Sequence, residues 1–146
     1  MQGVDRKPVE GQLVGGCMEV LEMLKATEWW PSAKAWDGAV LYFETSEGAP
    51  ELGQVEAWLR NYGSRGILSR AAGVLFGWPH NYSFEKKLKL FDVIRKVLAE
   101  FDRSDLPVVA DMDFGHTSPV GVLPNGSRAR IEPLLRTVML TEPAVS

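Results

Sequence analysis

The sequence predicts an α/β fold in which at least part of the sheet is parallel. Three apolar runs, each long enough for one buried strand, alternate with segments whose apolar residues recur every three or four positions. Strands separated by helices favour parallel βαβ units. Towards the end of the chain, glycines, a proline and an Asn-Gly pair lie close together and instead favour a short β-hairpin.

The first half of the chain carries two predicted helices and one predicted strand. A helix is expected over residues 17–25, and the apolar run at residues 39–43 predicts a buried strand. A second helix is expected over residues 51–62, with Gly63 as its stop. The apolar positions that support the helices are Met18, Val20, Leu21 and Leu24 in the first and Leu52, Val55, Leu59 and Tyr62 in the second.

The second half carries a strand at residues 71–77, a long helix capped by Ser83, and a third strand that begins at residue 107. A hairpin is expected to join residues 120–123 to residues 128–131, because the Asn-Gly pair between them suits a type I′ turn. The apolar stripe of the long helix consists of Leu88, Phe91, Ile94, Val97, Leu98 and Phe101, and the lysines between them, Lys86, Lys87 and Lys89, are expected to form its solvated face.

Length and composition exclude several classes of protein. The chain has 146 residues, enough for one ordinary domain, and its net charge of −3 argues against a nucleic-acid-binding protein. It contains no apolar run of membrane-spanning length, and its charged first 15 residues do not fit a secretory signal peptide. A single cysteine, Cys17, permits no disulfide within the chain. We therefore expect one cytoplasmic domain that binds neither nucleic acid nor membrane.

Two polar residues lie close to the ends of predicted strands. Glu44 directly follows the strand at residues 39–43, and His116 lies a few residues beyond the third strand. Sites in parallel α/β sheets gather at the carboxyl ends of strands. A carboxylate and an imidazole brought together there could serve a hydrolase, the acid orienting the imidazole and the imidazole acting as general base. The alternative is that they are two unrelated loop residues.

A metal site is the competing hypothesis. Asp111, Asp113 and His116 are spaced as D-x-D-x-x-H, and His80 could join them, because carboxylates two apart on a strand project to the same face. The same carboxylates could instead accept hydrogen bonds from loop amides.

No nucleophile is evident in the sequence. There is no Gly-x-Ser-x-Gly elbow, and Ser118 lies too near His116 along the chain to pair well with it. Cys17 is expected to be a buried structural thiol. The two glycines before it, Gly15 and Gly16, lack the longer pattern of a phosphate-binding loop.

Five tryptophans are many for a chain of this length. Trp58 falls on the core side of a predicted helix, whereas Trp29, Trp30 and Trp78 lie in loops. Loop tryptophans line a pocket or a subunit interface in some proteins and are buried against the domain in others. A stand-alone binding domain that uses exposed aromatic residues is therefore the alternative to an enzyme.

Several motifs together resemble the C-terminal domain of the LD-carboxypeptidase family, which also includes the microcin C immunity proteins. The most specific motif is residues 113–119, DFGHTSP, followed by LPNG at residues 123–126. The resemblance covers nearly the whole chain, since the other matching segments, in order, are GQLVGGC at 11–17, ATEWWP at 26–31, DGAVLYFE at 37–44, AGVLFGW at 72–78 and PVVADM at 107–112.

The resemblance implies a swivelling β/β/α domain that supplies two members of a Ser-Glu-His triad. Glu44 is then the orienting acid, with Glu47 as the fallback, and His116 is the general base. The family's serine and oxyanion hole belong to an N-terminal domain, and we find no segment here that resembles it. No cofactor or metal is implied.

The substrate implied is a murein-derived peptide or a peptide–nucleotide of the microcin C type, and a homodimer is left open. This chain departs from the family pattern at Cys17, where asparagine is usual, at Ala26, which replaces glycine, and at Trp78, where arginine is frequent. These departures bear on substrate identity rather than on the acid and the base.

Overall fold

The computed structural model describes residues 7–143, so the first six and last three residues of the predicted domain lie outside it. Within residues 7–143 the chain forms six strands, four α-helices and one 3₁₀ helix. In chain order these are β1 (Val9–Cys17), α1 (Met18–Leu24), the 3₁₀ helix (Ala33–Trp36), β2 (Val40–Glu44), α2 (Leu52–Ser64), α3 (Ile67–Arg70), β3 (Gly73–Gly77), α4 (Phe84–Glu100), β4 (Val108–Met112), β5 (Arg128–Glu132) and β6 (Thr137–Leu140).

The strands form one mixed sheet in the order β4-β3-β2-β1-β5-β6. The first four are parallel, and each is added beside the one before it. Because right-handed crossovers that always step in one direction place their helices on one side of the sheet, α1, α2 and α4 share a face. β5 and β6 are antiparallel and extend the sheet beyond β1. The predicted α/β class, with parallel strands, flanking helices and a C-terminal hairpin, is confirmed.

β1 was not predicted, although it joins the two parts of the sheet. Its first half, from Val9 to Gln12, pairs antiparallel with β5, and its second half, from Leu13 to Cys17, pairs parallel with β2. Only two of its nine residues, Gly11 and Leu13, are buried. With three glycines and few buried positions, the segment shows neither the apolar run nor the strict alternation by which strands are predicted from sequence.

The core divides between the two faces of the sheet. On the helix face, side chains of β2 and β3, such as Phe43 and Phe76, pack against the helices around the fully buried Tyr62. On the other face a smaller cluster of Leu13, Val40, Leu75, Ala129 and Ile131 is joined by Phe114 from the loop after β4. None of the helices in the described part of the chain is both long and apolar enough to cross a bilayer.

Two predicted boundaries were wrong. Helix α2 continues through Gly63 to Ser64, and the unpredicted one-turn helix α3 follows it. The hairpin joins β5 to β6, not residues 120–123 to 128–131. Within the turn from Pro124 to Ser127, only the second central residue, Gly126, has a positive φ (88°), as in a type II turn. A type I′ turn needs positive φ at both central residues. The Asn-Gly turn therefore leads the chain into β5 beside β1.

The long helix α4 is rotated relative to its predicted stripe. The Ser83 cap is confirmed, since the Ser83 hydroxyl accepts a hydrogen bond from the Lys86 amide at 3.1 Å. However, Leu88 is 47% exposed, whereas Lys87 is 8% exposed. The Lys87 ammonium lies 3.0 Å from the centre of the Trp78 ring and 3.4 Å from an Asp111 carboxylate oxygen. The prediction that Lys87 belongs to the solvated face was wrong, because its cation is stabilised by an aromatic ring and a carboxylate.

Candidate active site

Glu44 is the last residue of β2 and is buried, with 7% of its surface exposed. It lies opposite Cys17 in the parallel pairing of β1 and β2. Two glycines make room for its side chain: a Cβ on Gly115 would lie 2.6 Å from the Cβ and Oε2 atoms of Glu44, and a Cβ on Gly77 would lie 3.1 Å from that Cβ. Gly115 also has φ of 88°, a conformation that favours glycine. The carboxylate therefore lies in a slot that larger residues would fill.

His116 lies in a loop whose ends are held by backbone hydrogen bonds. The Met112 carbonyl accepts bonds from the amides of Trp78 and Phe114, at 2.7 and 2.8 Å, and the Gly121 amide donates to the Asp113 carbonyl at 2.5 Å. The Phe114 side chain is buried in the core, which anchors the loop two residues before His116. His116 is thus carried on a fixed loop at the carboxyl end of β4.

The structure brings Glu44 and His116 together. Nδ1 of His116 lies 2.8 Å from Oε2 of Glu44, and the backbone amide of His116 donates to the same oxygen at 3.3 Å. The hydrogen bond that His116 donates to the Glu44 carboxylate raises the pKa of His116 above its ordinary value, against the opposing effect of desolvation. The histidine side chain is 40% exposed while that of Glu44 is 9% exposed. A buried carboxylate thus orients an imidazole that reaches solvent.

Nε2 of His116 points towards Glu47, whose Oε2 lies 3.0 Å away. The Glu47 side chain is 70% exposed. The two candidate acids therefore contact different ring nitrogens, the buried Glu44 at Nδ1 and the exposed Glu47 at Nε2.

His80 contacts the backbone of His116. Its Nδ1–H donates to the carbonyl of His116 at 2.8 Å, which leaves Nε2 of His80 without its proton when the ring is neutral. Sequence reasoning considered His80 only as a metal ligand. The contact joins residues 36 positions apart and has no sequence signal.

Glu19, which sequence reasoning missed, organises the loop that carries Glu47. Its Oε1 accepts hydrogen bonds from the amide and hydroxyl of Ser46, at 3.1 and 2.8 Å, and its Oε2 accepts one from the thiol of Cys17 at 3.3 Å. Burial alone would raise the pKa of Glu19, but these bonds outweigh burial and lower it. The contacts span 27 residues, so local sequence pattern does not reveal them.

Cys17 is a poor nucleophile. Burial, together with the nearby Glu19 and Glu44 carboxylates, raises the pKa of its thiol to about 11. Within residues 7–143, moreover, no serine or cysteine side chain is hydrogen-bonded to a ring nitrogen of His116.

The side chains of the four residues in the metal hypothesis do not form a common metal site. Asp111 pairs with Lys87, His80 contacts a backbone carbonyl, and His116 contacts Glu44 and Glu47. Among the described residues, no group of three or more histidine, cysteine, aspartate or glutamate side chains is arranged to hold a metal ion.

The tryptophans divide between core and surface. Trp36 is buried, and Trp30 packs on it with ring centres 5.2 Å apart. Trp58 packs at the margin of the core. Trp78 is 40% exposed beneath Lys87, and Trp29 is 75% exposed.

Comparisons with known proteins agree with the fold and with the resemblance. Residues 10–131 match the family model of the LD-carboxypeptidase C-terminal domain. A carboxypeptidase homologue of Treponema pallidum is 28% identical over 130 residues, which cover 88% of this chain and 36% of that protein. The microcin C7 self-immunity protein MccF of Escherichia coli is 24% identical over 139 residues, covering 94% and 38%.

Solved structures of related proteins share this fold. MccF in complex with glutamyl sulfamoyl guanosine superposes with a TM-score of 0.84 at 24% identity, over 97% of this chain and 41% of that one. A muramoyltetrapeptide carboxypeptidase from Oxalobacter formigenes superposes with a TM-score of 0.69 at 25% identity, over 93% and 46%. The chain thus spans less than half the length of each of these relatives.

Proposed function

The chain belongs to the LD-carboxypeptidase C-terminal domain family, and from that premise we propose that it supplies the acid and base of a Ser-Glu-His triad whose serine lies on a separate N-terminal domain. The observation that carries the proposal is the 2.8 Å contact between the buried Glu44 carboxylate and Nδ1 of the partly exposed His116. In such triads the acid binds one ring nitrogen, and the nucleophile must reach the other.

The proposed roles of Glu44 and His116 follow from what each of the two ring nitrogens contacts. Glu44, at Nδ1, fixes the tautomer and stabilises the imidazolium that forms during catalysis. His116, through Nε2, takes the proton of the serine hydroxyl as its oxygen attacks the amide carbon, and then returns that proton to the leaving amine. The raised pKa of His116 suits a group that must hold this proton transiently.

The substrate that we propose is an amide in a murein-derived peptide or in a peptide–nucleotide of the microcin C type. Its support is the pair of relatives already described, a muramoyltetrapeptide carboxypeptidase and a microcin C7 self-immunity protein. Hydrolysis of either amide requires the same serine, base and acid.

We expect the 146-residue chain by itself to be inactive, because an acyl-enzyme cannot form without the serine. The purified chain should not release the terminal amino acid from a muramoyl tetrapeptide, and a serine-directed phosphonate should not label it. Turnover that such a reagent blocks would refute the proposal.

The triad roles are tested in a polypeptide that joins this chain to the serine-bearing domain. His116→Ala should lower kcat by about 10⁴-fold or more with little change in KM, and Glu44→Gln should lower it by several hundred-fold or more. Asp92→Asn, which removes a carboxylate of helix α4, is the matched control and should leave kcat unchanged. Unchanged kcat in both site variants would show that the pair is structural.

A further inference from the structure

Both ring nitrogens of His116 face carboxylates. Oε2 of Glu44 lies 2.8 Å from Nδ1, and Oε2 of Glu47 lies 3.0 Å from Nε2. At neutral pH carboxylates accept hydrogen bonds and do not donate them. Both contacts can therefore be hydrogen bonds only when both nitrogens carry protons, which is the imidazolium form. This form cannot act as a base, since Nε2 has no free lone pair.

Glu47 reaches Nε2 from a turn that is held by hydrogen bonds. The Ala49 amide donates to the Ser46 carbonyl at 3.1 Å, and the Gly48 amide donates to the Ser46 hydroxyl at the same distance. Ser46 is in turn bound by Glu19 through its amide and hydroxyl. The turn therefore positions the Glu47 backbone, while its exposed side chain stays free to rotate.

The charged groups around His116 act in the same direction. Glu44 approaches from β2, Glu47 from the loop after β2, and Glu19 from α1 at greater distance, and all three favour the protonated ring. His80 approaches from the loop after β3 but meets the backbone carbonyl rather than the ring.

We infer that Glu47 is a positioning residue for the general base: while no nucleophile hydroxyl is present, its carboxylate occupies Nε2 and holds His116 as an imidazolium between two carboxylates. The inference rests on the proposed function, since it assigns Nε2 as the nitrogen that meets the serine. When the serine domain docks, the Glu47 side chain rotates into solvent and the Nε2 proton passes to water. The neutral ring then accepts the hydroxyl proton.

The test is an NMR titration of the two histidines of the 146-residue chain between pH 5 and pH 10. His116→Gln assigns the signals. Glu47→Gln should lower the pKa of His116 by about half to one pH unit, as expected for the loss of a solvent-exposed charge contact. Glu47→Asp, which keeps the charge, should restore part of the difference. Asp92→Asn should leave the pKa of His116 unchanged. The His80 signal should behave in the same way in every variant.

A pKa of His116 that is the same in Glu47→Gln and in wild type would overturn the inference. Glu44→Gln in the same titration tests the other contact separately. If Glu44→Gln leaves the pKa of His116 unchanged while Glu47→Gln lowers it, the triad assignment fails and the Glu47 contact stands.

The joined polypeptide provides a second measurement. Because the serine hydroxyl has displaced Glu47 from Nε2 there, Glu47→Gln should retain activity and move the acidic limb of the kcat/KM profile by clearly less than the pKa shift expected for the 146-residue chain. Loss of activity at every pH would instead make Glu47 a required part of the machinery and overturn its assignment as a competitor for Nε2.

Discussion

Replacing Gly115 by alanine should destabilise the domain and separate Glu44 from His116. Two effects add at this position. A left-handed backbone conformation costs a residue with a Cβ roughly 1–2 kcal/mol. In addition, the new methyl group would lie 2.6 Å from the Cβ and Oε2 atoms of Glu44, about 1 Å inside ordinary contact distance. Such overpacking costs roughly 1–3 kcal/mol, so the free energy of unfolding should fall by about 2–5 kcal/mol.

Gly126 provides a matched control. Its φ is also 88°, but a Cβ placed there meets nothing within 4 Å. Gly126→Ala should therefore show only the backbone cost, about 1–2 kcal/mol. The difference between the two variants, about 1–3 kcal/mol, isolates the contact with Glu44.

Urea unfolding followed by tryptophan fluorescence measures both losses, with the midpoint shifting and the slope m unchanged. The NMR titration provides the second readout, because only Gly115→Ala should move the pKa of His116 towards its ordinary value. Equal losses in the two variants, or an unchanged pKa of His116 in Gly115→Ala, would refute the view that Gly115 makes room for the Glu44 side chain.

Three further predictions concern single side chains. Lys87→Ala should lower the free energy of unfolding by roughly 1–3 kcal/mol, since it removes the contacts with Trp78 and an aspartate, whereas Lys89→Ala on the exposed face should cost less than about 0.5 kcal/mol; equal losses in urea titrations would contradict the inward position of Lys87. Cys17 has a pKa raised to about 11, so iodoacetamide should alkylate it at pH 7.5 about 10²-fold more slowly than an unperturbed thiol, and denaturant should remove the difference. The folded pKa of His116 is raised, so the stability advantage of wild type over His116→Gln should be fully present below about pH 6.5, the unfolded value, and shrink as pH rises through the folded pKa. Urea titrations at pH 6 and pH 9 measure this, and an advantage that grows towards pH 9 would reverse the assigned sign.

The sequence predicts those parts of the fold that local pattern determines. β2 and β3 are buried on both faces and therefore appear as continuous apolar runs. β1 lies at the junction between parallel and antiparallel pairing, and its partners are distant in sequence, so its own residues show little pattern. The prediction that Lys87 is solvated was wrong because it followed the residue type and not the helical phase. Its position fits the buried series Leu90, Ile94, Val97 at spacings of three and four.

For the candidate site, one topological rule located Glu44 and His116. Both lie at the carboxyl ends of parallel strands, and this is visible once the strands are assigned. The rule does not show which ring nitrogen each carboxylate meets, nor that His80 and Glu19 hold the two loops. Those contacts depend on distances between segments far apart in the chain, which residue spacing does not encode.

The pairing of β1 with β5 has a consequence for the order of events during protein synthesis. The antiparallel partner of β1 begins about 120 residues after β1 along the chain and therefore leaves the ribosome later. Until then the first half of β1 has an open edge, which is a known route to mispairing between chains. Sequence-distant pairing is also intrinsically slow. Glu44 and His116 are translated before β5, so we expect the sheet beneath them to be completed only after both have emerged.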